Sequence, residues 1–396
     1  MTNDSNSTAT VPVRTRTRGR AVSRETVMPK AGDSPFALGF RMPAEWEPHT
    51  ATWLSWPHNK SDWPGKFEPI PYVYAEIVRH LSRVERVELI VNDEAAEWKA
   101  REVLHRANVL PESPGQNHPN IRFHHWPTNR GWLRDSGAIF LRRKRPEGGH
   151  DLAASDWRFN GWAKYKNWQL DDQLPSRIAK LLRVPRYEPE VALGGKPHRV
   201  VLEGGSIEVN GRGTLITTEE CLLSEVQQRN PGVTREQLER VFADYFGIRK
   251  VIWLERGIAG DDTHGHVDDI TRFVGPKTIV TCIEQDPQDA NFEPLRANYR
   301  RLAHMTDQGG KPLRVETLPM PSPVHFRGQR LPASYANFYI ATGLVLVPVF
   351  NDPNDRHALN TLAELMPKHE IVPIYCGDLV WGLGTIHCMT QQQPKS

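Results

Sequence analysis

The chain has 396 residues, enough for one large domain or two to three ordinary ones, and its 38% hydrophobic content is ordinary beside 32 prolines and 29 glycines. No apolar run reaches the length of a membrane span, and Cys221, Cys282, Cys376 and Cys388 are spaced for neither a zinc motif nor a disulfide framework, which points to a reducing, cytoplasmic setting. The formal net charge of +3 arises within residues 1–34, where six basic side chains meet three acidic ones, so the balanced remainder offers no basic face for nucleic acid.

Residues 1–36 are rich in Arg, Ser and Thr and lack an apolar stretch of signal-peptide length. They read as a solvated, disordered leader, with a transit peptide or an RNA-touching arm as the alternatives. Residues 37–396 read as a single domain. Its opening segment, 39–57, is loop then strand. A strand–helix–strand order then repeats: strand 87–91, helix 94–107, strand 121–126; strand 214–217, helix 234–246, strand 251–254; strand 278–282, helix 290–305, strand 313–316; strand 345–349, helix 355–366, strand 371–375. A weaker copy runs from 157–159 through helix 172–183 to 200–202. Local chemistry supports the helices: Thr234 and Gln237 form a capping-box pattern, and Gly247 supplies a stop. Five such units make a cyclic α/β repeat, because no single unit can bury its own apolar face; an ordinary α/β sandwich is the plainer alternative.

The densest chemical run is Gly260–Asp269, which holds two histidines and four carboxylates. On an extended strand His264, His266 and Asp268 would share one face. They would then form a metal site or an acid–base pair awaiting a nucleophile. About ten residues beyond the second strand of three different units come Asp135, His266 and Cys388, and equivalent loops of a ring would converge at one end. Cys388 follows Gly382 and Gly384, a turn that lets backbone approach a ligand and marks Gly384 as a substrate-side position. Buried inert cysteines are the commoner case, and Cys282, inside a strand pattern, fits it. Asp135 follows Trp132 in a loop entering the apolar strand AIFL, although an Arg-Asp pair is usually just a salt bridge. Glu203 precedes paired glycines, which more often mark only a turn.

The motifs TWLSWP, GWLRDSG, FNGW, LEGGSIEVNG, LITTEECLL, GDDTHGHVDD, SYANFYI, VPVFNDPND and GTIHCMTQQQP stand in the order found in agmatine deiminases and bacterial peptidyl-arginine-deiminase-like proteins. The chain resembles that family over about residues 38–394. The resemblance implies a pentein fold, a five-fold pseudosymmetric α/β-propeller, and hydrolysis of a guanidinium to a ureido product and ammonia. It implies Cys388 as nucleophile, His266 as general acid and base, and Asp135 and Asp268 as carboxylates that hold the guanidinium, with no metal and no cofactor. A thiolate suits this task because a guanidinium carbon is a poor electrophile and a hydroxyl is a weak nucleophile at neutral pH. Two carboxylates suit the planar fork of N–H donors.

The expected partner is a small cationic guanidino substrate, with no nucleic acid or membrane; the sequence leaves homo-oligomers open. Agmatine ends in an amine, and by resemblance Asp262 is its contact and Trp132 the wall along its aliphatic chain; Glu203 and Gly384, read from their loops, are further substrate-side positions. Two departures bear on substrate. Arg130 stands where these enzymes usually carry Asp, and it would face solvent, pair with Asp261 or meet a substrate carboxylate. His264 replaces a usual Asn. Agmatine therefore leads, free or peptidyl arginine follows, and a metal-dependent hydrolase using His264, His266 and Asp268, or a catalytically silent pentein, completes the set.

Overall fold

The computed structural model describes Met1, residues 34–110 and residues 118–396, so the expectation for the leader lies outside the described residues apart from Met1 and its last few positions. The described chain is mixed α/β and contains five sheets built to one plan. In each, a central strand pairs antiparallel with one neighbour and parallel with another, and a helix makes the parallel crossover. The central strands are His49–Ser55, His150–Ser155, Thr214–Thr218, Thr278–Ile283 and Leu344–Val349. Their crossover helices are Ile70–Leu81, Leu174–Leu182, Arg235–Phe246, Phe292–Ala303 and Asp355–Leu365. Such a crossover is obligatory, since parallel strands cannot be joined by a tight turn. The central strand Thr214–Thr218 is buried at every position and is built of β-branched Thr and Ile with one Leu, as suits a strand covered on both faces.

Local signals set the helix ends. Thr234 accepts from the Gln237 backbone N–H at 3.3 Å and Gln237 returns a bond to the Thr234 N–H at 2.9 Å, while Gly247 stops the helix at φ 74°. Leu238, Val241, Phe242 and Phe246 then bury one face, with Trp157 packed 5.0 Å from Phe246.

Two expectations need correction. The unit read from strand 87–91, helix 94–107 and strand 121–126 is an added strand on the first sheet. That sheet's own unit is His49–Ser55, Ile70–Leu81 and Arg86–Val91, closed by the antiparallel C-terminal strand Thr390–Pro394. The helix Ile70–Leu81 was hidden by its proline-bearing start, which suits a first turn that has no internal N–H partners to lose. In the weak copy, residues 157–159 and 200–202 form one isolated bridge, Arg158 to Val201, and the strands are His150–Ser155 and Arg186–Tyr187. Trp157 and Phe159 are apolar because they fill the core, not because they lie in a ladder.

Of the short antiparallel strands only Ile139–Lys144 was read from sequence, as AIFL, yet they position the chemistry. Immediately before them come the turns Leu133–Ser136, Gly204–Ser206, Val267–Asp269 and Ile386–Met389, and the loop through Asn337. Asp135, Glu203, His266, Asp268, Asn337 and Cys388, described below, are on or beside these five. No helix among the described residues is long and apolar enough to cross a membrane.

Candidate active site

The five turns touch one another through their side chains. Asp135 Oδ1 accepts the Gly205 N–H at 3.0 Å, and its Oδ2 accepts Trp162 Nε1 at 2.9 Å. His266 Nδ1 faces Asp135 at 3.9 Å and Asp268 at 4.0 Å, while its Nε2 faces Glu203 at 3.7 Å. Asn337 donates to Asp269 at 2.9 Å and to Cys388 Sγ at 3.1 Å. Cys388 Sγ lies 3.8 Å from Asp268 Oδ2. Thus Cys388, His266, Asp135 and Asp268, which span more than 250 positions of sequence, meet in one buried cluster.

A cleft of about 310 Å³ opens onto this cluster. Asp135, Trp132, Trp162 and Cys388 line it, with Asp62, Arg130, Tyr165 and Asp262 among its other walls. His266 and Asp268 stand behind Asp135 and Cys388. Glu203 is deeper still: it pairs with Arg229 at 3.1 Å and braces the far side of His266. Gly384 is demanded by close approach, since a Cβ there would sit 2.9 Å from the Trp132 ring and 3.2 Å from Cys388 Sγ. The run Gly260–Asp269 is not an extended strand. Positive φ at His264 (63°) and Gly265 (97°) turns the chain, and Val267–Asp269 is a 3-10 turn. His264 therefore points to Ser224, 3.2 Å away, and leaves His266. Arg130 pairs with Asp62, not with Asp261 or solvent.

Charge follows from burial. Burial lifts the Asp135 carboxyl to about 6, with His266 opposing and Asp268 and Glu203 assisting. For Glu203 burial acts in the same sense, but Arg229 and His266 outweigh it and bring the carboxyl down to about 2. Burial disfavours the His266 imidazolium, yet Asp135, then Cys221 and Glu203, hold its pKa well above the ordinary value. The Cys388 thiol is pushed well up by burial and by Asp268, Asp269 and Asp135. Asp268 is burdened by burial but falls below its usual range through His387 and His266.

The support for these groups was invisible in sequence. His387 Nδ1 pairs with Asp268 at 2.6 Å and its Nε2 with Glu45 at 2.8 Å. Glu45 is held in turn by Arg272 at 2.9 Å, and Arg272 also bonds Glu208 at 2.9 Å. Asn337, which orients Cys388, lies in the quoted SYANFYI motif, and a buried amide there was the available signal. Arg272 is fully buried, so its loss strands two carboxylates. Arg272→Met is expected to cost about 3–5 kcal/mol of unfolding free energy in denaturant titration. A loss below about 1 kcal/mol would show that the network is not a structural support.

Among the described residues, two groups present ligand atoms within 4.8 Å of one another: Glu203, Cys221 and His266, and Asp268, Asp269 and Cys388. The trio His264, His266 and Asp268 is not among them. Both groups are built around the cluster above, in which the Cys388 thiol and the Asp135 carboxyl face the cleft and His266 and Asp268 stand behind them.

The chain is similar to known proteins over most of its length. The family described as Porphyromonas-type peptidyl-arginine deiminase matches residues 41–394. An agmatine deiminase of Pseudomonas syringae pv. syringae is 37% identical over 390 residues, covering 93% of this chain and 99% of that one. An agmatine deiminase of Medicago truncatula is 36% identical, with 91% and 98% covered. The solved agmatine deiminase of Enterococcus faecalis superposes with a TM-score of 0.81 at 31% identity, covering 93% of this chain and 99% of that one. With a match that spans all five sheets and the turns between them, the chain belongs to the Porphyromonas-type peptidyl-arginine deiminase family.

Proposed function

We propose that this protein is an agmatine deiminase, hydrolysing agmatine to N-carbamoylputrescine and ammonia. The observation that carries the reading is the meeting of Cys388, His266, Asp135 and Asp268 at the end of one cleft. The substrate guanidinium enters between Asp135 and Asp268, which accept its paired N–H donors and fix its plane against Cys388. Its positive charge cancels the field of the carboxylates that hold the thiol protonated, so Cys388 gives up its proton to solvent as the cation binds. Sγ then bonds to the guanidinium carbon. The C–N bond to one terminal nitrogen breaks, with the His266 imidazolium donating the proton that ammonia carries away. His266, now neutral, deprotonates a water that attacks the thiouronium carbon. Collapse breaks the C–S bond and returns the thiolate, and the hydroxyl proton passes to solvent to leave the neutral ureido product.

On the same reading the five sheets close into a propeller, residues 37–396 are one catalytic domain, and the substrate is a small guanidino cation. The five-loop contacts around the cluster support closure, and the uniform sheet plan supports a single domain. Product analysis on agmatine, arginine and a peptidyl arginine tests the reaction. Agmatine should give the highest kcat/KM, and turnover of it no better than of arginine would replace it by the arginine reading.

The pH dependence follows from Asp135, whose carboxyl sits at about 6. A raised carboxyl pKa means the ionised, cation-holding form is present above that pH and lost below it. The kcat/KM for agmatine should therefore fall as pH drops through about 6, approaching about tenfold per pH unit. An acid limb near 4 in the pH–rate profile would refute that role for Asp135.

A further inference from the structure

The mouth of the cleft is crossed by charge pairs that the reaction steps above do not use. Arg130 pairs with Asp62, and its guanidinium lies 4.0 Å over the Tyr165 ring. Tyr165 donates its hydroxyl to Asp262 Oδ2 at 2.6 Å, and Lys164 pairs with Asp262 Oδ1. Asp62, Arg130, Tyr165 and Asp262 all line the cleft. One short segment supplies both ends of it. Trp162, which donates to Asp135 at the closed end, lies two residues from Lys164 and three from Tyr165 at the mouth. Gly161, Trp162 and Ala163 all hold positive φ, at 68°, 57° and 53°. Two of these carry side chains that ordinarily avoid that region, and such strain persists where the surroundings over-determine it.

The consequence is electrostatic. With Asp62 offset by Arg130 and Asp262 offset by Lys164, the charge at the distal end of the cleft is balanced. An ammonium arriving at Asp262 meets a carboxylate already partnered, whereas a carboxylate arriving there meets the Lys164 ammonium. We propose that Lys164 is a tethered counter-ion of the cleft-lining Asp262, which yields to an amine-ended guanidino substrate and retains a carboxylate-ended one. The inference rests on the guanidine-hydrolase reading and names what selects the far end of the substrate. The Lys164 side chain is 42% exposed, so its flexible stem can swing into water while the Tyr165–Asp262 bond stays in place. Because an exposed pair is weak, the effect is several-fold, and specificity arises as a difference between two substrates and not as an absolute gate.

The test is steady-state kinetics of the full chain and its Lys164→Met variant at low ionic strength, where exposed charges are least screened. Agmatine supplies the amine end. 4-Guanidinobutyrate supplies the carboxylate end, read as KM if it is turned over and as Ki against agmatine if it is not. The expected result is a KM for agmatine lower by about three- to fivefold, a constant for 4-guanidinobutyrate higher by a similar factor, and restoration of both by Lys164→Arg. The change should lie in KM and not in kcat. Constants that move in the same direction, or that do not move, would overturn the role of Lys164 while leaving the deiminase reading intact. Absence of ureido product from agmatine with the unsubstituted chain would instead overturn the deiminase reading and, with it, this inference.

Discussion

Replacing Cys388 with Ser is expected to remove ammonia release from agmatine, lowering kcat/KM by at least about 10⁴-fold. The melting profile should stay close to that of the unsubstituted chain. The substitution changes one atom, and the Asn337 amide 3.1 Å away can bond a hydroxyl as well as a thiol. What it cannot preserve is ionisation. Burial and the charges of Asp268, Asp269 and Asp135 already hold the thiol well above its ordinary pKa, and a hydroxyl begins far higher still. An incoming guanidinium can offset that field for sulfur but not for oxygen. Cys282 provides the contrast: burial raises its thiol to about 11, its Sγ sits against Ser334 at 3.4 Å, and it does not line the cleft. Cys282→Ser should therefore leave turnover nearly unchanged. Residual activity above about 1% in Cys388→Ser, or a comparable loss in Cys282→Ser, would displace Cys388 as the nucleophile.

The contrast between those two cysteines was legible before any coordinates, because strand pattern and Gly-rich loop are one-dimensional signals. So was the recurrence of chemistry about ten residues after a strand, which brought Asp135, His266 and Cys388 under one argument. The division of His264 from His266 came from the family resemblance and the distant Cys388, and not from their local spacing. Both fit a metal face on an extended strand, and only left-handed backbone at His264 and Gly265 sends the first toward Ser224. Apart from AIFL, the short antiparallel strands also escaped notice, since one such as Glu208–Val209 has too few residues for a period. The partners of the site were hidden for a third reason. Glu45, Arg272 and His387 are joined across 342 positions of sequence, and such pairings depend on how sheets pack, not on neighbouring residues. Arg130 illustrates the same point. Its partner Asp62 lies 68 positions away, and the readings that paired it with Asp261 or left it to solvent failed.

Gly205 was read only as part of a turn, and it yields the second large effect. A Cβ at this position would lie 2.6 Å from His266 Nδ1, 2.9 Å from Asp135 Oδ1 and 3.0 Å from Asp268 Oδ2. Three of the four reacting or holding groups thus converge on the space where a methyl group would stand. Gly205 is not among the residues with positive φ, so alanine is acceptable to the backbone and the injury falls on the site. The added methyl must push His266 toward Glu203 or part the two carboxylates. Displacements of that size, about 1 Å, cost on the order of 10²-fold in rate when they disturb the alignment of reacting atoms. Gly205→Ala should therefore lower kcat for agmatine by about 10²-fold or more, with a stability loss of about 1–3 kcal/mol from overpacking. In a Cys388→Ser background, which binds without turnover, the same change should weaken agmatine binding because Asp135 and Asp268 no longer share one plane. Activity and binding both within about fivefold of the parent would mean that His266, Asp135 and Asp268 do not act as one unit around Gly205.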